Sequence, residues 1–279
     1  MTCEVLDYRD WPRFGPEFYA KNRPAVIRGV ARSGAKVFEW SAQHLAGIMK
    51  SKVVPVLETQ SGFLSYERNT IDMPFDEFVR RSFGEDRTEG PYLYYKNPTQ
   101  LLPDGHDDGD SIEGLGDYIA NAVMRNLWVS GKGLTVGLHF DAAENFNFQL
   151  RGHKSFCLHP PGVMNYYPMP MFSQTAHISR VFREGPEPDL SRFPRFDPGS
   201  EIRVDLHEGD VLYLPAYWWH QVAALGDENV NLNYWWLPGL SKQLPNWNQA
   251  LRGHIQVALR YLQFGNLQKA PTQEEAGRG

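Results

Sequence analysis

The sequence predicts a mainly β protein, an antiparallel sandwich or barrel, and three observations carry that prediction. From about residue 126 to 237 short β-prone runs recur, among them Phe156 to Leu158, Ile202 to Leu206, Val211 to Leu214 and Val230 to Trp236. Gly and Pro punctuate these runs at close intervals, as antiparallel connections require. Hydrophobic residues make up 42% of the 279, and aromatic ones 13%, enough to fill a sizeable core.

The elements before this region are mixed. Glu17 to Gly29 reads as a short helix, a turn at Pro24 and a buried strand over Ala25 to Ile27. A helix follows from Trp40 to Met49, with Ser41 as its N-cap. Val53 to Leu57 has strand composition, and Pro55, which lacks an amide hydrogen, points to an edge position. Met73 to Val79 starts another helix, and Pro91 to Tyr95 is a β-prone aromatic run. Between Leu102 and Gly114, Asp104, Asp107, Asp108 and Asp110 surround His106. They lack the spacing and closing Glu of an EF-hand, so a solvated loop is expected. Tyr118 to Met124 reads as helix and Asn126 to Val129 as strand.

Within and after the β region two further segments stand out. Arg183 to Gly199, rich in Pro and charge, is expected to be a long surface connection. Beyond Pro238 an apolar stripe runs through Leu244, Trp247, Leu251, Ile255, Leu259 and Leu262 at helical spacing. Packing on the protein's own barrel is its first reading; a homodimer contact through this C-terminal helix is the second. The chain thus divides into an N-terminal part (1–125), a β core (126–238), a C-terminal helical segment (239–268) and a polar tail (269–279) expected to be disordered.

A net charge of −5 gives no global basic footprint, which argues against bulk nucleic-acid binding but leaves a local basic groove open. Two cysteines, Cys3 and Cys157, cannot build a disulfide framework. No secretory signal and no apolar run of membrane-span length is visible, so a soluble, cytoplasmic protein without membrane contact is expected.

Chemistry concentrates between Gly133 and Lys154. On a strand, His139 and Asp141 leave by the same face and can grip one metal ion. A second imidazole would complete a 2-His-1-carboxylate face with open positions, the arrangement of non-haem Fe(II) oxygenases. His220, at the end of the Gly209 to His220 run, supplies one. Histidines 44, 106, 153, 159, 177, 207 and 254 show no comparable pattern, and His153 and His159 are expected at the surface or in packing. Lys154 precedes the strand Ser155 to Leu158. Most lysines are solvated; a buried one needs a carboxylate, which a dicarboxylate cosubstrate could provide. Asn145, Asn147 and Gln149 alternate along one run and share a face, either outward or inward; inward amides need partners.

These motifs together resemble the JmjC/cupin-type Fe(II)- and 2-oxoglutarate-dependent oxygenases. Within them, the nearest likeness is to the subfamily of the asparaginyl hydroxylase factor inhibiting HIF and the tRNA wybutosine hydroxylase. The resemblance spans roughly residues 10 to 240. It rests on Arg23 to Gly29, Asn126 to Trp128, His139 to Asp141, Gly152 to Lys154, Asp189 to Pro194, Gly209 to Pro215, Trp218 to His220 and Asn231 to Trp235. It implies a double-stranded β-helix (jelly-roll) with N-terminal α/β elements and C-terminal helices. It further implies His139, Asp141 and His220 as iron ligands and catalytic centre. Lys154 and Tyr92, with Tyr94 as the fallback, would hold the distal carboxylate of 2-oxoglutarate, beside Asn145 and Asn233. One position departs from the family: Val136 stands where a Thr or Ser usually contacts the cosubstrate, and Thr135 lies one place earlier. The implied reaction uses O2 and 2-oxoglutarate to hydroxylate a C–H bond, with succinate and CO2 as coproducts. A protein side chain is the expected substrate. A tRNA base or a small molecule is the alternative within the same chemistry, and a non-catalytic metal-binding cupin module the alternative outside it.

Overall fold

Fourteen strands in two sheets organise the computed structural model, which describes residues 3–64, 69–84, 92–98, 112–182, 185 and 187–267. In chain order they are β1 (Glu4–Asp7), β2 (Ala25–Arg28), β3 (Val53–Thr59), β4 (Phe63–Leu64), β5 (Asn69–Pro74), β6 (Tyr92–Pro98) and β7 (Met124–Gly131). The second half supplies β8 (Thr135–Phe140), β9 (Glu144–Arg151), β10 (His153–His159), β11 (Ile202–His207), β12 (Val211–Leu214), β13 (Trp219–Ala224) and β14 (Glu228–Trp236). The larger sheet has the order β1-β2-β12-β9-β14-β7-β6-β3-β5, and the smaller one β11-β10-β13-β8-β4. Strands β7 to β14 alternate between the sheets as a jelly roll does, except that β10 and β11 form a pair in the smaller one, and the pairings among them are antiparallel.

The centre of the larger sheet, β9, shows why the sequence folds this way. Phe146, Phe148 and Leu150 are fully buried and leave by one face, into the core cluster shared with Phe14, Phe18, Leu45 and Phe75 from the N-terminal elements. Each such side chain contributes about 1.5–3 kcal/mol on burial. Asn145, Asn147 and Gln149 leave by the other face, towards the smaller sheet. The apolar face is thus covered by the N-terminal segment, and the polar face lines the interior between the sheets.

The N-terminal part also extends the larger sheet at both edges. Strands β1 and β2 join through β12, while β6, β3 and β5 join through β7. Helix α1 (Ala42–Met49) begins as read from sequence, with the Ser41 hydroxyl accepting from His44 N at 3.1 Å. Helix α2 (Phe75–Phe83) covers the sheet with Phe75, Phe78 and Val79. Arg28 pairs with Asp210, and Gly29 N donates to Asp210 Oδ1 at 2.9 Å, fixing β2 beside the turn into β12.

Several expectations need correction. Strand β3 is internal, between β5 and β6, although Pro55 suggested an edge. The proline is tolerated because pairing with β6 starts only at Val56. The helix read over Tyr118 to Met124 is the short α3 (Gly116–Ile119), and Met124 already belongs to β7. The Arg183 to Gly199 connection is not purely superficial: Phe193 and Phe196 are buried beside Tyr166 and Trp219. The aspartates from Asp104 to Asp110 and the tail beyond residue 267 lie outside the described residues.

The C-terminal stripe departs most from its first reading. After α4 (Leu240–Gln243), helix α5 (Trp247–Leu267) buries Gln249, Ala250 and Gly253, while of the stripe Leu251 is exposed, Ile255 and Leu259 are half-buried, and the Leu262 side chain lies outside the described residues. A methyl on Gly253 would stand 2.4 Å from Ala142 Cβ, so the helix backbone sits directly on the turn after Asp141. Leu244 and Trp247 are 71% and 63% exposed. Among the described residues, no helix is long and apolar enough to cross a membrane.

Candidate metal centre

Strands β8 and β13 set His139 and His220 directly opposite one another in an antiparallel pair, so both side chains share a face. Their ring centroids are 4.1 Å apart. Asp141 follows the end of β8, and its Oδ2 lies 3.6 Å from His220 Nε2. One ligand atom from each of the three residues falls within 4.8 Å of the others. A register irregularity after His220, before Val222, ends the regular pairing at that point.

The imidazoles are oriented for coordination. His139 Nδ1 lies 2.8 Å from Gly137 O, and His220 Nδ1 3.0 Å from Trp218 O. A carbonyl only accepts, so each Nδ1 carries the proton and each Nε2 keeps its lone pair for a metal. Two imidazole nitrogens and one carboxylate on one side suit a divalent first-row metal that keeps open positions.

The triad opens into a cavity of about 450 Å³ between the sheets. Lys154, first of the core residues on β10, points into it and is 8% exposed. Burial alone pushes its ammonium down to about 7 from the usual 10.5, with no neighbouring carboxylate offsetting the shift. An unneutralised buried cation in a cavity asks for an anion.

Of the two tyrosines weighed from sequence, Tyr94 lines this cavity, 3% exposed and tilted against Trp128 at 5.4 Å between ring centroids. Tyr92 lies on β6, but its side chain is outside the described residues. Val136 lines the cavity and Thr135 does not, so no strand shift brings a hydroxyl to the departing position.

The inward amides bond one another in part, while Asn147 Nδ2 and Asn233 Oδ1 make no hydrogen bond among the described residues. Asn233 Nδ2 donates to Asn145 Oδ1 at 3.1 Å and to Asn147 Oδ1 at 2.5 Å. Asn231 Nδ2 donates to Gln149 Oε1 at 3.1 Å and to Phe148 O at 3.0 Å. Asn147, Asn231, Trp128 and His177 line the cavity without having been picked out as site residues. For Asn147 the signal was present in the Asn145-Asn147-Gln149 alternation. His177 carries no local pattern; it arrives because Phe140 N donates to its carbonyl at 3.1 Å. His159, 2% exposed, packs against Tyr166 and Phe196.

Comparison with known proteins fits this arrangement. The human bifunctional peptidase and (3S)-lysyl hydroxylase JMJD7 is 27% identical over 263 residues, covering 82% of this chain and 79% of that protein. Rat HSPB1-associated protein 1 is 27% identical over 224 residues, 70% of this chain and 45% of its own. Chicken tRNA wybutosine-synthesizing protein 5 is 26% identical, covering 80% of this chain and 73% of that protein. This chain therefore spans less than half of HSPB1-associated protein 1 and most of the other two. The model of the cupin-like domain matches residues 11–241, from the N-terminal turns through β14 and into α4. The chain belongs to the cupin-like domain family.

Proposed function

We propose that the chain is an Fe(II)- and 2-oxoglutarate-dependent dioxygenase that hydroxylates a C–H bond, with a protein side chain as substrate. One observation carries this reading: the His139–Asp141–His220 triad and the buried, unneutralised Lys154 open into the same cavity. A metal face with free positions and a lone cation fit the two ends of an α-keto dicarboxylic acid. When bound, Fe(II) and 2-oxoglutarate would together activate O2, with succinate and CO2 as coproducts.

The chain's own residues orient and protect. Gly137 and Trp218 carbonyls hold the Nδ1 protons, presenting both Nε2 atoms to the ion. Lys154, with Tyr92 or Tyr94, would hold the distal carboxylate through charge-assisted hydrogen bonds. Asn145 and Asn233, already bonded to each other, present a fixed amide surface beside the metal rather than a mobile one. Phe63, Leu64, Leu138 and Phe156 exclude water from the rest of the cavity wall.

The (3S)-lysyl hydroxylase named among the relatives supports a protein substrate, and the wybutosine-synthesizing relative keeps a tRNA base as the second reading. The test is succinate release by purified protein with Fe(II), O2, ascorbate and 2-oxoglutarate, with Asp141→Ala as control. Turnover that vanishes in the variant supports the oxygenase. Neither turnover nor 2-oxoglutarate binding would leave a non-catalytic cupin module. Salt-sensitive tRNA binding would favour the RNA substrate.

A further inference from the structure

Behind the metal face, on the opposite side of β9, a carboxylate is buried completely. Glu144, 0% exposed, is the first residue of β9 and stands three positions after Asp141. Its Oε1 faces Lys242 Nζ at 2.6 Å. Tyr213 OH donates to its Oε2 at 2.7 Å, and Ala216 N to the same oxygen at 3.3 Å. Lys242, from α4, also donates to Tyr213 OH at 3.0 Å and lies 3.8 Å from the centre of the Tyr19 ring.

The backbone this cluster holds is unusual. Tyr217, 1% exposed, has φ +71, a left-handed conformation that is sterically costly for a bulky residue. Such a residue persists only where its surroundings over-determine it. Here Tyr217 N donates to Asp141 O at 2.8 Å, and Gln249 Nε2 donates to Tyr217 O at 2.8 Å. Glu144 secures the preceding residue, Ala216. His220 follows three residues after Tyr217. One acid therefore spans both the turn leaving Asp141 and the turn approaching His220.

We propose that Glu144 is a positioning residue for the metal face: fixed by Lys242 and Tyr213, it locks the Ala216–Tyr217 turn against Asp141 and so sets where His220 stands. This inference rests on the triad holding a metal. Stability alone does not account for the cluster, because a buried ion pair is a weak source of it and well-packed apolar side chains of like volume hold as firmly. A carboxylate adds a fixed hydrogen-bond geometry that apolar packing lacks. Gln243, the neighbour of Lys242, lines the cavity, so the same cluster ties the cavity mouth to the metal face.

The experiment titrates Co(II) into metal-free protein and reads its electronic spectrum alongside thermal melting. The double variant Glu144→Leu with Lys242→Met removes both charges and keeps the packing. It is expected to melt cooperatively, yet bind Co(II) about tenfold more weakly with shifted ligand-field bands. Glu144→Gln, which keeps a carbonyl acceptor for Ala216 N, is expected to fall between the double variant and wild type. Wild-type affinity and spectrum in the double variant would overturn the proposal. If the double variant does not fold, the same result in Glu144→Gln overturns it. A Co(II) signal that survives Asp141→Ala would place the ion elsewhere and remove the metal reading on which the proposal stands.

Discussion

Lys154→Met gives the sharpest measurable consequence of the cavity's charge. Burial holds the folded-state lysine at about 7 against 10.5 for the free side chain. At 1.36 kcal/mol per pH unit, that interval corresponds to about 5 kcal/mol of destabilisation when the charge is kept. Relaxation and water entry reduce the realised value to a few kcal/mol. The folded-state value is the lower one, so between about 7 and 10.5 the unfolded chain holds a proton that the folded chain has released. Stability therefore rises with pH across this window, and below about 7 the full penalty is present. Methionine removes the penalty at similar length. Urea unfolding of the ligand-free protein should show the variant more stable than wild type at pH 6–7, with the gap closing towards pH 10. 2-Oxoglutarate should protect wild type and leave Lys154→Met unprotected. In wild type, its affinity should fall about tenfold per unit above pH 7, because binding must restore the proton. Parallel pH curves for the two proteins, or a variant weaker than wild type throughout, would refute the reasoning.

Val136→Thr should tighten 2-oxoglutarate binding about threefold to tenfold in a direct titration, because it adds a hydroxyl to a cavity wall that also carries Lys154. Gly152→Ala should cost about 3 kcal/mol or more by chemical denaturation: φ is +72 and the added carbon would meet Glu228 O at 1.9 Å. Leu244→Ser combined with Trp247→Ser should change the stability of the monomer by no more than about 0.5 kcal/mol per site, since both side chains are largely exposed. A large loss in a concentration-independent melt would show that the stripe is packed after all.

The β architecture and the His139–Asp141 pair were legible because both are local codes. Val211–Leu214 and Ile202–His207 announce themselves by strand composition and Gly or Pro borders, and His139 and Asp141 by a two-residue spacing. What escaped was set by pairing across the chain. Pro55 could be read as an edge residue because nothing in its neighbourhood says that β6 begins pairing one residue later. The contact face of α5 could not be read in full since apolar periodicity marks a face without naming its partner. Here small residues, Ala250 and Gly253, make the close contact, while Leu244, Trp247 and Leu251 stay exposed. Glu144 carries no pattern of its own in the sequence; its role depends on Tyr213 and Lys242, which reach it only in the closed fold.

The distance along the chain between His139 and His220 has a consequence for how the protein acquires an ion. Strand β13 meets β8 only after β9 to β12 have been laid down between them in sequence. A nascent or unfolded chain offers a His–Asp pair, which grips a divalent metal poorly, and completes the triad only when a non-local pairing closes. Metal is thus a late cargo rather than a template for folding, unlike the ion of a zinc finger. Its binding free energy is then added to an already assembled sheet, so chelation should empty the site while leaving the strands in place. Loading would instead raise the melting temperature in proportion to the logarithm of the free ion concentration.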